Sequence, residues 1–127
     1  MKSNFTLAHV GINTKTPEEA AALASLLSGM FNLTPRKGGK SMFAGNLFEC
    51  MNTPYLGRNG HIALETDDLA VALKELAEKN IFPNMETASY LPDGRLKNVY
   101  LQGEYGGFAI HILQKSEPSE VSTKTEG

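Results

Sequence analysis

The sequence has no tryptophan, a single cysteine and no apolar run long enough to cross a membrane, which takes about 18 to 20 residues. One cysteine excludes an internal disulfide, and the position of Cys50 in a strand-like run favours a small buried side chain over a nucleophile. Clusters of lysine and arginine are also absent, and the net charge is −2, so we expect neither nucleic acid nor a membrane as a partner. Since the N-terminus lacks the pattern of an export signal, we expect a cytoplasmic protein.

Histidine is also scarce, and all three histidines of the chain lie in strand-like runs: His9, His61 and His111. In "GGFAIHIL", His111 stands where a buried strand would ordinarily carry an aliphatic residue. A buried imidazole needs a hydrogen bond, a charge partner or a metal, because an unpaired polar group in the core is costly. The three histidines are therefore the first candidates for functional residues.

The chain is predicted to form a single domain over residues 1–114, followed by a disordered tail over 115–127, "KSEPSEVSTKTEG". Within the domain, residues of about 5–56 and about 60–114 follow the same order: a strand, a helix, then two or three strands. "HVGINT" and "HIALET" both begin with histidine and carry threonine five residues later. This correspondence indicates an internal duplication.

Two amphipathic helices are predicted, one in each half. In "TPEEAAALASLLSGMF", Thr16 is placed as the N-cap, Glu19 as the capping-box carboxylate and Gly29 as the end of the helix. The second helix, "DDLAVALKELAEKN", begins near Asp67 or Asp68. The apolar stripes expected to pack on a sheet are Ala20, Leu23, Leu26 and Leu27 in the first helix and Leu69, Leu73 and Leu76 in the second.

Side chains alternate between the two faces of a strand, so the polar residue of each strand is expected opposite the face that packs under a helix. On this period Leu7, His9 and Gly11 share one face of the first strand. Four strands then direct His9, Glu49, His61 and His111 into one concavity, beside the small residues Gly11, Ala63 and Ala109. Imidazole nitrogens and a carboxylate that converge in this way predict a site for a divalent metal ion.

The sequence resembles the vicinal oxygen chelate superfamily, in its glyoxalase-like branch, over residues 5 to about 114. This superfamily includes glyoxalase I, bleomycin-resistance proteins and extradiol dioxygenases, and the resemblance lies in "LAHVGINT", "LFEC", "NGHIALETDDL" and "GGFAIHIL". It implies an α+β fold in which two βαβββ modules form a cupped, mostly antiparallel sheet around a metal site. It also implies a homodimer.

The resemblance assigns a ligand to each of four strands. His9, Glu49 and His61 match the first three ligands of glyoxalase I, and His111 takes the fourth place, where glyoxalase I has glutamate. The implied cofactor is one divalent ion, of nickel, zinc, manganese or iron. Glu49, the single carboxylate among the four, is the candidate catalytic residue, since a carboxylate can leave a metal and carry a proton.

Three functions follow as hypotheses, each with a small-molecule substrate. The first is a metal-dependent lyase or isomerase that acts on a small oxo- or hydroxy-acid through a metal-stabilised enediolate. The alternatives are a non-enzymatic binding or resistance protein of the bleomycin-resistance kind and an Fe(II) dioxygenase. Arg58 and Tyr100 are the candidate substrate-binding residues.

Overall fold

The computed structural model of the chain describes residues 2–116, and residues 117–127 of the predicted tail lie outside the described residues. The described part forms two helices and eight strands. In chain order these are β1 (Phe5–Asn13), α1 (Pro17–Phe31), β2 (Pro35–Lys37), β3 (Ser41–Ala44), β4 (Phe48–Met51), β5 (Gly60–Thr66), α2 (Leu69–Glu78), β6 (Pro83–Tyr90), β7 (Leu96–Leu101) and β8 (Phe108–Gln114).

The described strands form one sheet in the order β2-β3-β4-β1-β5-β8-β7-β6. At its centre β1 and β5, the first strands of the two halves, pair in antiparallel orientation. On either side β1 pairs in parallel with β4, and β5 in parallel with β8, while the remaining pairs are antiparallel. The two βαβββ halves thus have equivalent arrangements, and the predicted α+β fold is confirmed. A third strand after the helix was implied by the βαβββ module, but the position of β2 was not predicted, because β2 has three residues, all exposed, in the connecting segment "TPRKGGK".

Helix α1 begins where the sequence predicts and ends later. The Thr16 side chain accepts a hydrogen bond from the backbone N–H of Glu19. The predicted end at Gly29 is wrong: the helix continues through this glycine to Phe31 and ends at Asn32, whose φ of 59° is left-handed. A glycine inside a helix costs only about 1 kcal/mol, and asparagine adopts the left-handed conformation that ends a helix.

The first core lies between α1 and strands β3 and β4. Ala20 and Ala24 are buried against Cys50, which is fully buried as predicted. Ala20, Ala24 and Ser28 lie on the side of α1 that is closest to the sheet. The larger leucines of the helix therefore pack beside this line and are less buried. Leu26, predicted to face the sheet, is 60% exposed, so its assignment to the buried stripe is wrong. The partly buried side chains around this core are Leu23, Leu27 and Met42.

The second core lies between α2 and strands β7 and β8. Asp68 caps this helix by accepting from the backbone N–H of Val71. Leu69, Leu101 and Ile112 form the buried centre of the core, and six partly buried side chains surround it: Leu64, Leu73, Leu76, Ile81, Leu96 and Ile110. Neither helix in the described part of the chain has both the length and the apolarity needed to span a membrane.

Strand β1 has a register shift that the sequence did not predict. Leu7 pairs with Leu64, but His9 pairs with Ala63, so Ala8 is an extra residue in β1. Such a bulge reverses the alternation of side chains at that point. Leu7 therefore does not share the face of His9, contrary to the predicted pattern. From His9 onward the alternation holds.

Candidate metal site

Three of the predicted ligands meet at the centre of the sheet, on the face opposite the helices. His9 lies on β1, Glu49 on β4 and His61 on β5. The Nε2 atoms of both histidines lie 3.1 Å from Oε1 of Glu49 and 3.3 Å from each other. Among residues 2–116, these three form the group of histidine, cysteine and acidic side chains whose ligand atoms all lie within 4.8 Å of one another.

The donor set of this cluster fits a divalent ion. Ligand atoms around a tetrahedral ion at about 2.0 Å lie about 3.3 Å apart, close to the separations in the cluster. Imidazole nitrogen and carboxylate oxygen are ligands common to zinc, nickel, manganese and iron. His9, Glu49 and His61 would therefore hold the ion, and their donor types do not distinguish between these metals.

The carboxylate of Glu49 is fixed at both oxygens. Its Oε1 contacts the two histidines, and its Oε2 accepts a hydrogen bond of 2.7 Å from the hydroxyl of Ser41, which is 1% exposed. Burial raises the pKa of the Glu49 carboxyl, but hydrogen bonds from the two histidines and Ser41 outweigh burial and hold the pKa well below its usual range. Glu49 is thus ionised, as a metal ligand must be.

His61 is the most deeply buried member of the cluster. Its residue is 1% exposed, and its ring lies edge-on to those of His9 and Tyr100. The Nδ1 atom of His61 is buried and has no hydrogen-bond partner among the described residues. In the described part of the chain, the polar contacts of this ring are therefore made at Nε2, within the cluster.

His111 lies beside the cluster but outside it. Its ring centroid is 5.9 Å from that of His61, and its Nε2 lies 3.2 Å from the side-chain oxygen of Asn98. Because an amide oxygen only accepts, this contact makes Nε2 the protonated nitrogen of His111. Coordination through Nε2 would require His111 to give up this hydrogen bond. The fourth ligand at His111 therefore stays a prediction.

A cavity of about 480 Å³ opens next to the cluster, and Glu49, His61 and His111 are among its lining residues. One wall is aromatic: Tyr100 is 7% exposed, and Tyr55 meets it edge-on at a centroid distance of 5.5 Å. Polar and charged side chains line other parts of the cavity, namely Lys40, Thr87, Ser89 and Asn98. The cavity thus combines a carboxylate, imidazoles, hydroxyls, an amide and one amine.

The two predicted substrate-binding residues have different positions. Tyr100 lines the cavity, and burial raises the pKa of its phenol, an effect that the negative charge of Glu49 reinforces. Arg58 is not among the described lining residues. Its side chain is 75% exposed, and its Nε lies 4.0 Å from a carboxylate oxygen of Glu104. The assignment of Arg58 to the substrate stays a prediction.

Several residues of the site were not singled out from the sequence. Ser41, which donates a hydrogen bond to Glu49, lies two residues before Phe43 on β3 and therefore on the same face of the sheet. The ring of Phe43 lies edge-on to that of His9. Asn98 likewise lies two residues before Tyr100 on β7 and shares its face of the sheet. Applying the two-residue period to every strand, and not only to those with histidine, would have placed both on the face of the site.

Comparisons with known proteins give structural neighbours only. No protein-family model matches the sequence, and no curated protein sequence matches it. A hypothetical protein from Bacillus halodurans C-125 has a TM-score of 0.58 at 14% identity, covering 90% of this chain and 96% of that chain. Methylmalonyl-CoA epimerase from Mycobacterium tuberculosis has a TM-score of 0.56 at 12% identity, covering 91% of both chains. Methylmalonyl-CoA epimerase from Streptomyces coelicolor, in complex with 2-nitronate-propionyl-CoA, has a TM-score of 0.55 at 11% identity, covering 87% and 94%.

The chain has the fold of the vicinal oxygen chelate superfamily, of which the methylmalonyl-CoA epimerases are examples. This confirms the resemblance drawn from the sequence at the level of the fold. At 11% to 14% identity the comparison establishes the fold alone.

Proposed function

We propose that the protein is a metal-dependent lyase or isomerase that moves a proton next to a carbonyl group of a small oxo- or hydroxy-acid. The observation that carries this proposal is the convergence of His9, Glu49 and His61, whose ligand atoms lie 3.1 to 3.3 Å apart beside a cavity. The names of two structural neighbours, methylmalonyl-CoA epimerases, support the isomerase over the lyase.

The chain's residues would hold the ion with two neutral imidazoles and one carboxylate. When bound, a divalent ion supplies Lewis acidity, which polarises a carbonyl and stabilises negative charge on oxygen. Two imidazoles and one carboxylate leave a divalent ion with a net charge of +1. This charge, together with the amine of Lys40 in the cavity wall, favours an anionic substrate.

The cavity residues would orient the substrate and limit its contact with water. The rings of Tyr55 and Tyr100, which meet edge-on, provide an apolar wall, and the hydroxyls of Thr87 and Ser89 lie in the lining of the same cavity. The Thr87 hydroxyl already donates to the backbone oxygen of Asn84 and accepts from the N–H of Tyr100, so Ser89 is the freer of the two for a substrate. This division of apolar wall and polar groups is typical of a small-molecule site.

Glu49 remains the proposed proton carrier, because it is the one carboxylate among the described residues that line the cavity. Its low pKa favours the ligand role and makes it a weak base while both histidines contact Oε1. Proton transfer by Glu49 therefore requires Oε1 to leave at least one of these contacts. The hydrogen bond from Ser41 would keep the carboxylate in the site when that happens.

The test is metal analysis of the whole chain purified without chelators, followed by calorimetric titration of the chelator-treated protein with Zn(II), Ni(II), Mn(II) and Fe(II). We expect one divalent ion per chain, and a loss of binding in His9→Ala, Glu49→Gln and His61→Ala. Glu75→Gln is the matched control, since this carboxylate lies on α2 and binds Ser3. A wild type that binds none of the four ions would overturn the proposal.

A second candidate, an Fe(II)-dependent dioxygenase, is favoured by one observation. The cluster consists of two histidines and one carboxylate, the set found in non-haem Fe(II) oxygenases, and His111 lies outside it. Oxygen uptake by the Fe(II)-loaded protein in the presence of catechols tests this candidate. Oxygen uptake that is lost in His9→Ala would favour the dioxygenase over the isomerase. If the protein binds iron but consumes no oxygen, it is not a dioxygenase of catechols.

We also propose a cytoplasmic homodimer, as predicted from the sequence. The open sheet ends at β2 and at β6, and an open edge can be covered by a partner. Exposed apolar side chains near the start of β1 and the end of α1 give further support: Phe5, Leu7, Met30 and Phe31. Light scattering that gives the mass of one chain at micromolar concentration would overturn the dimer.

A further inference from the structure

Gly11 lies between two members of the metal cluster. On one side it pairs with Glu49 of β4, and on the other with His61 of β5. Neighbouring strands are about 4.8 Å apart, so β4 and β5 are separated by roughly twice that distance. Glu49 and His61 can therefore meet only if their side chains lean across β1 above Gly11. Their contact of 3.1 Å is of this kind.

The space above Gly11 is filled by the imidazole of His61. A β-carbon built on Gly11 would lie 2.0 Å from Cε1, 2.2 Å from Nδ1 and 2.6 Å from Nε2 of that ring. The ring has little freedom to move away, because His61 is 1% exposed and contacts Tyr100 and His9. The backbone of Gly11 is not left-handed, unlike that of Gly57 or Gly60. The ring, and not the backbone conformation, thus requires glycine at position 11.

A second set of paired residues, two positions along the strands on the same face of the sheet, gives an internal comparison. There Ala63 lies between His9 and His111, because it pairs with both. The methyl group of Ala63 stands where Gly11 has only hydrogen, and His111 is not part of the cluster that contains His9. With glycine between them, Glu49 and His61 meet. With alanine between His9 and His111, His111 stays outside the cluster.

We propose that Gly11 is a positioning residue of the metal site: its lack of a side chain lets His61 lie across β1 and meet Glu49. This inference rests on the proposed function, in that the site it shapes is the proposed metal site. It predicts that even a methyl group at position 11 displaces the His61 ring and separates the ligand atoms. Gly11 itself would contact neither the ion nor the substrate.

The experiment is a double-variant cycle with Gly11→Ala and His61→Ala in the full chain, read out by Zn(II) affinity and by urea unfolding in the presence of a chelator. We expect Gly11→Ala to lower Zn(II) affinity by about 10- to 100-fold and to lower the urea midpoint. In the double variant the methyl group has no ring to meet. We therefore expect the midpoint of Gly11→Ala/His61→Ala to lie close to that of His61→Ala alone.

Gly39→Ala is the control, because a β-carbon there would have no atom within 4 Å and its backbone is not left-handed. We expect it to keep wild-type affinity. If Gly11→Ala alone does not fold, the double variant still tests the clash, since it should fold as well as His61→Ala. Additive losses of stability, or wild-type Zn(II) affinity in Gly11→Ala, would overturn the role of Gly11. Failure of the proposed function is a different result: a wild type that binds no ion while the two substitutions remain coupled in chelator.

Discussion

The imidazole of His111 lies flat on the phenol ring of Tyr100, with ring centroids 4.1 Å apart and ring planes 3° apart. The two residues are directly paired across β7 and β8, and Asn98 accepts a hydrogen bond from the same imidazole. Stacking and hydrogen bonding together fix both the plane and the tautomer of this ring. His111 is therefore held by its own half of the sheet, while His61 reaches across β1 into the cluster.

We expect His111→Ala to weaken metal binding less than His9→Ala does. To coordinate a metal through Nε2, His111 would have to give up the hydrogen bond to Asn98, so any contribution to affinity is reduced by that loss. His9 has no such competing partner, since its Nε2 contacts are with Glu49 and His61. Calorimetric titration of both variants with Zn(II) measures the difference. Equal losses of affinity would establish His111 as a full ligand.

The sequence was sufficient to predict three members of the cluster, because the period of two is a local property of a strand. His9, Glu49 and His61 each alternate with apolar residues, of which Cys50 packs under helix α1, and the duplication indicated that the two histidines occupy equivalent strands. The paired strands β1 and β5 then bring the two halves together. No knowledge of side-chain conformation was needed for this step.

The positions of the remaining side chains depend on contacts between distant parts of the chain. The conformation of His111 is set by Asn98 and Tyr100 on β7, and the register between β7 and β8 has no local signature. The same holds for Leu26, which is exposed because the small residues Ala20 and Ala24 make the closest approach to the sheet. Tertiary packing, which periodicity does not encode, decided both cases.

We expect Ser41→Ala to lower metal affinity by about 10- to 100-fold, the usual effect of removing a hydrogen bond to a ligand. The Ser41 hydroxyl is the donor that holds Oε2 of Glu49, and the buried carboxylate would lose this contact. Ser28→Ala is a matched control, because Ser28 is also buried and its hydroxyl has no hydrogen-bond partner among the described residues. If both substitutions leave Zn(II) affinity at the wild-type value, Ser41 does not position Glu49.

In the metal-free protein we expect His111 to stay neutral down to about pH 4, since its pKa is lowered to about 4 from 6.5. Burial is the largest cause, and the charges of His61 and His9 act in the same direction, while Glu49 opposes them. Between pH 6.5 and about 4 the unfolded chain therefore binds more protons at this residue than the folded chain does. Stability from this residue is complete above pH 6.5 and is lost as the pH falls through that window.

The measurement is an NMR titration of the His111 imidazole in the presence of a chelator, together with urea unfolding at several pH values. His111→Gln serves as the control, because glutamine cannot titrate, and we expect its stability to fall less between pH 6.5 and 4. A midpoint near 6.5 for the His111 ring would contradict this expectation.

We expect the wild type, loaded with Ni(II), Zn(II) or Mn(II), to turn over the methylglyoxal–glutathione adduct poorly or not at all, and His111→Glu to increase this turnover. In glyoxalase I the fourth ligand is a carboxylate. Here His111 donates its Nε2 proton to Asn98, and its Nδ1 is buried, so it presents no free proton acceptor to the cavity. A glutamate at this position would supply a second carboxylate and lower the net charge of the loaded site from +1 to 0.

Steady-state assays of the wild type, His111→Glu and the uncharged control His111→Gln measure the effect. Efficient wild-type turnover that falls in His111→Glu would mean that the imidazole itself supports glyoxalase chemistry, and the preference for an anionic oxo- or hydroxy-acid would then lose its basis.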